Sequence, residues 1–203
     1  FMSGAAAVAM LVGTDAPLVF EGRRHTHMAH AWDFYKPAGW AAMEPLVDGP
    51  GSIAVYQRCL AACQMVLAAA GEGTWVDAHD HLVLHLGSSP KFVRNSFEHA
   101  VAAAHGEGAM GAPAAFERLV APSLVLASRV GPCHTAATYL NLSSLLLHAA
   151  PLAGSCIGVF SYGSGAASSM YRLRVRGAAI MGSGLAVRLD GREAHDGAAF
   201  SAI

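Results

Sequence analysis

Charged side chains are scarce in this chain of 203 residues, because aspartate, glutamate, lysine and arginine together make up only 13% of it. The two signs nearly cancel, which leaves a formal net charge of −1 at pH 7. Nucleic acids and anionic membranes attract proteins that carry an excess of positive charge. The composition therefore argues against a chain that binds polyanions, and we expect no nucleic-acid partner and no membrane partner.

Long hydrophobic runs are missing as well, although 54% of the residues are hydrophobic. The longest uninterrupted run, residues 5–12, has 8 members, whereas a membrane-spanning helix needs about 20. A chain of this length can bury a sizeable core. The sequence therefore predicts a folded domain whose apolar residues lie inside it.

The cysteines lack the close CxxC spacing of zinc and redox sites. Cys59, Cys63, Cys133 and Cys156 stand among apolar neighbours, which predicts reduced, buried thiols and a cytoplasmic location, with an organelle left open. The chain starts at Phe1 without the charged region of a signal peptide, and it ends in the middle of an apolar pattern. We therefore expect a fragment of a longer protein.

Hydrophobic periodicity predicts strands that alternate with helices and end in a hairpin, an order typical of α/β layering. The predicted strands cover residues 5–12, 18–20, 81–86, 156–160 and 167–176, and the predicted helices cover 52–70, 90–105 and 134–149. Ser52 is expected to cap the first helix, and Pro90 to open the second. Residues 21–51 are predicted to form a long, ordered loop.

Three histidines on one predicted strand are the first candidates for chemistry. His79, His81 and His85 would project from one face, so they could bind zinc together, or one of them could act alone. His85 is the strongest single candidate, because it stands at the carboxyl end of the strand, where α/β sheets bind ligands. His81 is the fallback, and we expect no metal.

Other residues could contact a ligand. Lys91 stands in the first turn of a predicted helix, where a cation opposes the helix dipole unless an anion lies nearby. Residues 161–165, which include Ser164, form a turn that could offer hydroxyls and backbone N–H groups. Arg172, Arg174 and Arg176 form a stripe that could meet phosphates. A solvated lysine, an ordinary hairpin turn and a solvated sheet face are the simpler interpretations.

Several segments also carry a resemblance to a known family. They are residues 5–13 (AAAVAMLVG), 32–37 (WDFYKP), 45–49 (PLVDG) and 157–166 (IGVFSYGSGA), of which the last is the most specific. In this order they resemble the hydroxymethylglutaryl-CoA synthases of the thiolase-fold superfamily. The resemblance runs from about residue 5 to residue 176.

The resemblance implies an α/β chain with a thiolase-like layered αβαβα fold, of which this chain is the incomplete C-terminal portion. Residues 1–51 would be the end of the N-terminal half plus a long loop, and residues 52–203 the truncated C-terminal half. Such enzymes condense acetyl-CoA with acetoacetyl-CoA to hydroxymethylglutaryl-CoA in the mevalonate pathway to isoprenoids. They use coenzyme A thioesters as substrates, need no further cofactor and act as homodimers.

The same resemblance assigns roles to individual residues. His85 is implied to be the catalytic histidine that handles the acetoacetyl carbonyl group. Lys91, Ser52 and Ser164 match residues that contact the substrate. None of the four cysteines matches the cysteine nucleophile of the family, and its glutamate acid/base has no match either. We expect both to lie before Phe1.

Two further departures leave alternatives open. Asn95 stands where the family has a second lysine, and Pro132 stands where it has an active-site asparagine. A proline offers no side-chain amide, so one contact with the acyl group would be lost. The alternatives are a non-catalytic thiolase-like protein that binds coenzyme A or acts as a scaffold, and a carrier-protein-dependent synthase of polyketide assembly.

Overall fold

The computed structural model describes residues 4–36, 45–87, 89–106, 111–178, 184–193 and 196. The strands in these residues are β1 (Leu18–Met28), β2 (Phe34–Tyr35), β3 (Leu46–Val47), β4 (His81–Leu84), β5 (Cys156–Gly163) and β6 (Ala167–Val175). The helices are α1 (Gly49–Ala69), α2 (Pro90–His105), α3 (Ala112–Leu119), α4 (Val125–Val130), α5 (Ala136–His148) and α6 (Leu185–Asp190). A short 3₁₀ helix (Ala121–Leu124) leads into α4.

The main sheet has the strand order β1-β6-β5-β4. Strands β4 and β5 run parallel, while β6 pairs antiparallel with β5 on one side and with β1 on the other. Successive side chains of a strand point to opposite faces. Leu84 and Phe160 therefore belong to a core on one face, and Val83 and Val159 to a core on the other.

Helices cover both faces of this sheet. Helices α1, α2 and α3 supply buried side chains to the larger core, and α5 supplies Leu142 and Leu145 to the smaller core on the opposite face. A sheet that is apolar on both faces needs this double cover. The predicted α/β layering is therefore confirmed.

Helix α1 begins earlier than the periodicity predicts, at Gly49. Its cap is Asp48, whose carboxylate accepts a hydrogen bond from the N–H of Gly51 at 3.0 Å. Ser52 lies inside the first turn, so the prediction that it caps the helix is wrong. By length and composition α1 could cross a membrane, but Tyr56 and its other inner residues belong to the larger core.

Helix α2 has the bounds that the sequence predicts, Pro90–His105. The hydroxyl of Ser89 accepts a hydrogen bond from the N–H of Phe92 at 3.2 Å. Pro90 occupies a position where a helix needs no N–H donor. Because both signals are local in sequence, they suffice to place this helix and its first turn.

Two predictions about the N-terminal part are wrong. Residues 5–12 form no strand, and Leu11 and Val12 are largely exposed. An apolar run becomes a strand only where a neighbour satisfies its backbone groups, and no described strand lies beside this one. Residues 21–28, expected in a loop, belong to β1, because β6 pairs with that strand from Leu18 to Met28.

The predicted hairpin is confirmed, but its turn lies at residues 164–166, because residues 161–163, which were predicted as part of the turn, continue β5 and pair with β6. The arginines of β6 share a face as predicted, but acidic side chains already pair with them. Arg172 lies 3.1 Å from a carboxylate oxygen of Glu72, and Arg174 pairs with Glu21. This part of the stripe therefore holds strands and loops together, and it is not a free phosphate site.

Candidate active site

A cleft of about 1260 Å³ opens at the edge of the main sheet where β4 and β5 end. Because these two strands are parallel, their carboxyl ends meet at this edge, which is where open α/β sheets bind ligands. His85 follows β4 directly, and Tyr162 comes from the end of β5. The first turn of α1 brings Ser52 to the same cleft.

The described lining of the cleft is rich in hydroxyl groups and contains no aspartate, glutamate, lysine or arginine. The hydroxyls belong to Thr26, Ser52, Tyr56, Thr135, Tyr139, Ser161, Tyr162, Ser164, Ser168 and Ser169. The histidines are His85 and His134. Small-molecule sites combine apolar walls with placed polar groups, and this lining, with its many neutral hydroxyls, suits an uncharged acyl group.

Three hydrogen bonds hold His85 in place. Its backbone N–H donates to the carbonyl oxygen of Phe160 at 2.9 Å, which extends the β4–β5 pairing by one residue. Its own carbonyl oxygen accepts from the hydroxyl of Tyr56 at 3.0 Å. The ring atom Nδ1 lies 3.1 Å from Oγ1 of Thr138 on α5. Within the described residues, Nε2 is the ring nitrogen left for a ligand.

His85 is neutral at pH 7. Burial lowers its pKa from 6.5 to about 4, and charge on the nearby His134 acts in the same direction. A neutral imidazole can offer a hydrogen bond to a carbonyl oxygen without carrying a full charge into the cleft. Such a bond stabilises negative charge that develops on that oxygen.

Ser52 and Ser164 line the same cleft as His85. The buried carboxylate of Asp33 contacts Ser52 and residues near Ser164. Asp33 accepts hydrogen bonds from the hydroxyl of Tyr162 and from the N–H of Gly165, both at 2.9 Å. Burial alone would raise the pKa of Asp33, but these bonds and one from Ser52 hold it below its usual value. The sequence does not predict this role for Asp33, because a carboxylate in a polar segment has the pattern of an ordinary surface residue.

Lys91 lies outside the described cleft lining. It is exposed in the first turn of α2, next to Phe92, whose side chain does line the cleft. Asn95 is exposed one turn further along the same helix. A ligand in the cleft would therefore meet Lys91 only with a part that extends beyond the rim.

A strained loop borders the cleft on the side of α5. Gly131 has φ 90° and ψ −179°, a conformation that is essentially restricted to glycine. His134, which the sequence analysis missed, has φ 49°, an uncommon value for a residue with a side chain. Pro132 lines the cleft between them and brings no hydrogen-bond donor.

The three histidines of the zinc alternative do not come together. Nδ1 of His79 lies 2.6 Å from the carbonyl oxygen of Trp75, and its Nε2 lies 3.1 Å from Nε of Arg172. His81 opens β4, roughly 13 Å from His85 at about 3.3 Å per strand residue. In the part of the chain that the structure describes, no three His, Cys, Asp or Glu side chains could hold a metal ion. The zinc alternative is wrong for these residues, and His81 cannot replace His85 in the cleft.

The four cysteines are buried and none is in a disulfide, as the sequence predicts. Burial raises the pKa of each thiol. No cysteine is among the described residues that line the cleft. Since the thiolate is the reactive form, none of these cysteines has the setting of a nucleophile.

Helices cover both faces of a mixed sheet, and a histidine lies in a cleft at the carboxyl ends of two parallel strands, so the chain has a layered α/β fold with a candidate active site at the sheet edge. The family model described as "Hydroxymethylglutaryl-coenzyme A synthase C terminal" matches residues 18–100 and 106–192. The chain belongs to the hydroxymethylglutaryl-CoA synthase family.

Curated relatives include enzymes of two compartments. The mitochondrial hydroxymethylglutaryl-CoA synthase of Sus scrofa is 36% identical over 227 residues, which cover 90% of this chain and 44% of that protein. The cytoplasmic enzyme of Homo sapiens is 32% identical, with the same coverage of 90% and 44%. A hydroxymethylglutaryl-CoA synthase-like protein of Alternaria alternata, AKT4-1, is 33% identical, and the match covers 86% of this chain and 53% of that protein. The chain spans about half the length of these relatives.

Solved structures show the same fold. MvaS in complex with 3-hydroxy-3-methylglutaryl coenzyme A matches with a TM-score of 0.63 and 31% identity, over 85% of this chain and 45% of that one. The HMG synthase of the curacin biosynthetic pathway, in complex with holo donor-ACP, matches with a TM-score of 0.76 and 24% identity, over 88% and 44%. The second likeness is one of fold alone, and together they confirm the predicted thiolase-like fold.

Proposed function

We propose that this chain carries the acetoacetyl-CoA site of a hydroxymethylglutaryl-CoA synthase. That enzyme condenses acetyl-CoA with acetoacetyl-CoA to hydroxymethylglutaryl-CoA. The observation that supports the proposal best is the position of His85, a neutral imidazole in a hydroxyl-lined cleft at the carboxyl edge of the sheet, whose described lining has no aspartate, glutamate, lysine or arginine. The complex of MvaS, 31% identical to this chain, with 3-hydroxy-3-methylglutaryl coenzyme A supports a thioester of coenzyme A as the ligand.

In the proposed reaction, the methyl carbon of an acetyl thioester, after losing a proton, attacks the ketone carbon of acetoacetyl-CoA. A carbon–carbon bond forms, and the π electrons of the ketone move onto its oxygen. His85 stabilises this oxygen with a hydrogen bond or a proton, a contribution of typically 10²–10⁴ in rate. The family's cysteine would take the acetyl group as coenzyme A leaves it, and the family's glutamate would accept the proton that the methyl carbon loses. Water would then cleave the cysteine thioester and release hydroxymethylglutaryl-CoA.

The remaining assigned residues would bind the substrate. Ser52 and Ser164 line the cleft, so their hydroxyls would contact the acyl chain or the thioester. Lys91 is exposed just beyond the cleft, so it would contact the coenzyme A part that extends past the rim. Because Asn95 stands where the family has a second lysine, this rim would offer one positive charge fewer to coenzyme A.

The proposal extends to the whole protein. We propose an acyltransferase of the mevalonate pathway to isoprenoids that needs no cofactor beyond its thioester substrates and acts as a homodimer. Free, buried cysteines favour a reducing compartment, and we propose the cytoplasm. The relatives include both cytoplasmic and mitochondrial enzymes, so a mitochondrial location is the alternative.

The proposal is tested by separating acetylation from condensation in the natural protein. His85→Ala should lower the condensation rate by about 10²–10⁴ while acetyl incorporation from acetyl-CoA continues. Lys91→Ala should instead raise the KM for acetoacetyl-CoA. His30→Ala, which removes an exposed histidine outside the described cleft lining, is the control. Equal losses of both half-reactions in His85→Ala, or no loss, would contradict the assignment.

The same assays distinguish the alternatives. Condensation that requires acyl groups on a carrier protein would identify a synthase of the polyketide type; the HMG synthase of the curacin pathway was solved in complex with a donor-ACP. Binding of acetoacetyl-CoA without acetylation or condensation would indicate a non-catalytic member of the family.

A further inference from the structure

Nδ1 of the His85 ring contacts the hydroxyl oxygen of Thr138 at 3.1 Å. A hydroxyl can donate or accept a hydrogen bond, whereas a carbonyl oxygen can only accept. For a neutral imidazole, the hydrogen bond at one nitrogen determines which nitrogen carries the proton. The partner of Nδ1 therefore determines what Nε2 can offer to a ligand in the cleft.

Hydrogen-bond satisfaction decides between the two arrangements. If Nδ1 carried the proton and donated to Oγ1, the hydrogen of the Thr138 hydroxyl would need another acceptor. Within the described residues Oγ1 makes no second hydrogen bond, and Thr138 is only 3% exposed. A buried hydroxyl without an acceptor is costly. If Thr138 donates to an unprotonated Nδ1, both groups are satisfied.

We propose that Thr138 is a positioning residue that donates its hydroxyl hydrogen to Nδ1 of His85 and thereby fixes the proton on Nε2. His85 then presents an N–H donor to the cleft, which matches the carbonyl oxygen of an acyl thioester substrate. This inference rests on the proposed function only for the identity of that ligand. The tautomer follows from the hydrogen bonds alone.

A second contact keeps the pair in register. Asn141, one turn after Thr138 on α5, donates from Nδ2 to the carbonyl oxygen of Leu84 at 2.9 Å. Leu84 is the last residue of β4 and precedes His85. The fully buried Asn141 side chain thus fixes the end of β4 against the helix that carries Thr138.

His79 provides a comparison inside the same molecule. Its Nδ1 faces the carbonyl oxygen of Trp75 at 2.6 Å, which can only accept, so Nδ1 carries the proton. Its Nε2 then accepts from Nε of Arg172 at 3.1 Å. Burial lowers the pKa of both His79 and His85 to about 4. At pH 7 both rings are neutral, and they are held in opposite tautomers.

The test is ¹⁵N NMR of the histidine rings of the natural protein at pH 7, with His85 assigned by the signals lost in His85→Gln. We expect the proton on Nε2 of His85 and on Nδ1 of His79. Thr138→Val, which keeps the shape and removes the hydroxyl, should mix the two tautomers of His85 and leave the His79 pattern intact. Thr138→Ser restores a hydroxyl and should restore the Nε2–H pattern.

Kinetics supply a second readout. Thr138→Val should lower the kcat of condensation about tenfold, the order expected for one lost hydrogen bond, with a smaller change in KM, and Thr138→Ser should recover most of the loss. A wild-type His85 with its proton on Nδ1, or an unchanged His85 tautomer in Thr138→Val, would overturn the inference. If Thr138→Val also loses the His79 pattern, the variant is misfolded, and the wild-type and Thr138→Ser spectra decide. If the spectra are as predicted but the wild-type protein shows no condensation, the proposed function is refuted, while the effect of Thr138 on the tautomer of His85 is still supported.

Discussion

At the scale of single residues, His79 links the fold to pH. It is 5% exposed, and burial lowers its pKa from 6.5 to about 4, with the charge of Arg172 acting in the same direction. Its Nε2 accepts a hydrogen bond from Arg172, which a protonated ring could no longer do. Arg172 in turn pairs with Glu72. Protonation of His79 would therefore place two positive groups against each other in the core.

The depressed pKa predicts acid sensitivity. Between pH 6.5 and 4 the unfolded chain binds a proton at His79 that the folded chain does not, so stability rises with pH across this window. The contribution is complete above pH 6.5 and is lost as the pH falls to about 4, with a size of roughly 3 kcal/mol. We expect His79→Gln to flatten the dependence of the unfolding free energy on pH, measured by urea denaturation. Leu152→Gln, at a side chain that is 79% exposed, should keep the wild-type slope, and an equally steep slope in His79→Gln would contradict the prediction.

Residue roles were predictable where a local position carried the information. His85 stands at the carboxyl end of the predicted strand, two residues before Gly87, so its place at the sheet edge could be inferred from the sequence. Asp33 could not be recognised, because its partner Gly165 lies 132 residues away. Thr138 was missed for the same reason, since its contact with His85 spans 53 residues.

At the scale of elements, β5 shows why one position must be glycine. Gly158 lies on the strand between β4 and β6. A Cβ atom there would come within 2.8 Å of Leu82 Cδ2, 2.8 Å of Trp75 Nε1 and 2.9 Å of His79 Cδ2. All three neighbours are buried, so none can move aside without disturbing the packing of α1, β4 and β5.

We therefore expect Gly158→Ala to destabilise the fold. Overpacking of a tight core typically costs about 1–3 kcal/mol, measured as a lower midpoint in chemical denaturation. Gly177→Ala is the matched control, because a Cβ there meets nothing within 4 Å, and its stability should stay within about 0.5 kcal/mol of wild type. Equal stabilities of the two variants would contradict the prediction, because they would mean that the side chains around Gly158 can shift to accommodate a Cβ atom at little cost.

Helices and strands were predicted best where the residues that fix their ends lie close together in the sequence. Helix α2 was predicted correctly, because Ser89 and Pro90 mark its start within two residues. Strand β1 was predicted too short, because its pairing partner β6 lies far away in the sequence. The run at residues 5–12 was predicted as a strand from composition, but strand formation depends on a neighbour that no described element provides.

At the scale of the whole molecule, the chain spans about half the length of its curated relatives. Several large apolar side chains are exposed, among them Phe20 at 75%, Met28 at 72% and Trp32 at 77%. Exposed apolar surface of this kind favours association. We therefore expect the 203-residue polypeptide to aggregate when it is expressed by itself, and measurements on the natural protein avoid this.

We expect none of the four cysteines in these 203 residues to be the nucleophile of the proposed reaction. The four cysteines of these 203 residues are buried with raised pKa values, and no cysteine is among the described residues that line the cleft. We expect that treating the natural protein with acetyl-CoA leaves Cys59, Cys63, Cys133 and Cys156 unmodified, as judged by mass spectrometry of its peptides. An acetyl group on another cysteine, released by hydroxylamine, would support the synthase reaction. An acetyl group on Cys133, which lies next to Pro132 at the cleft, would contradict the prediction, because a thiol held protonated by burial would then have acted as the nucleophile.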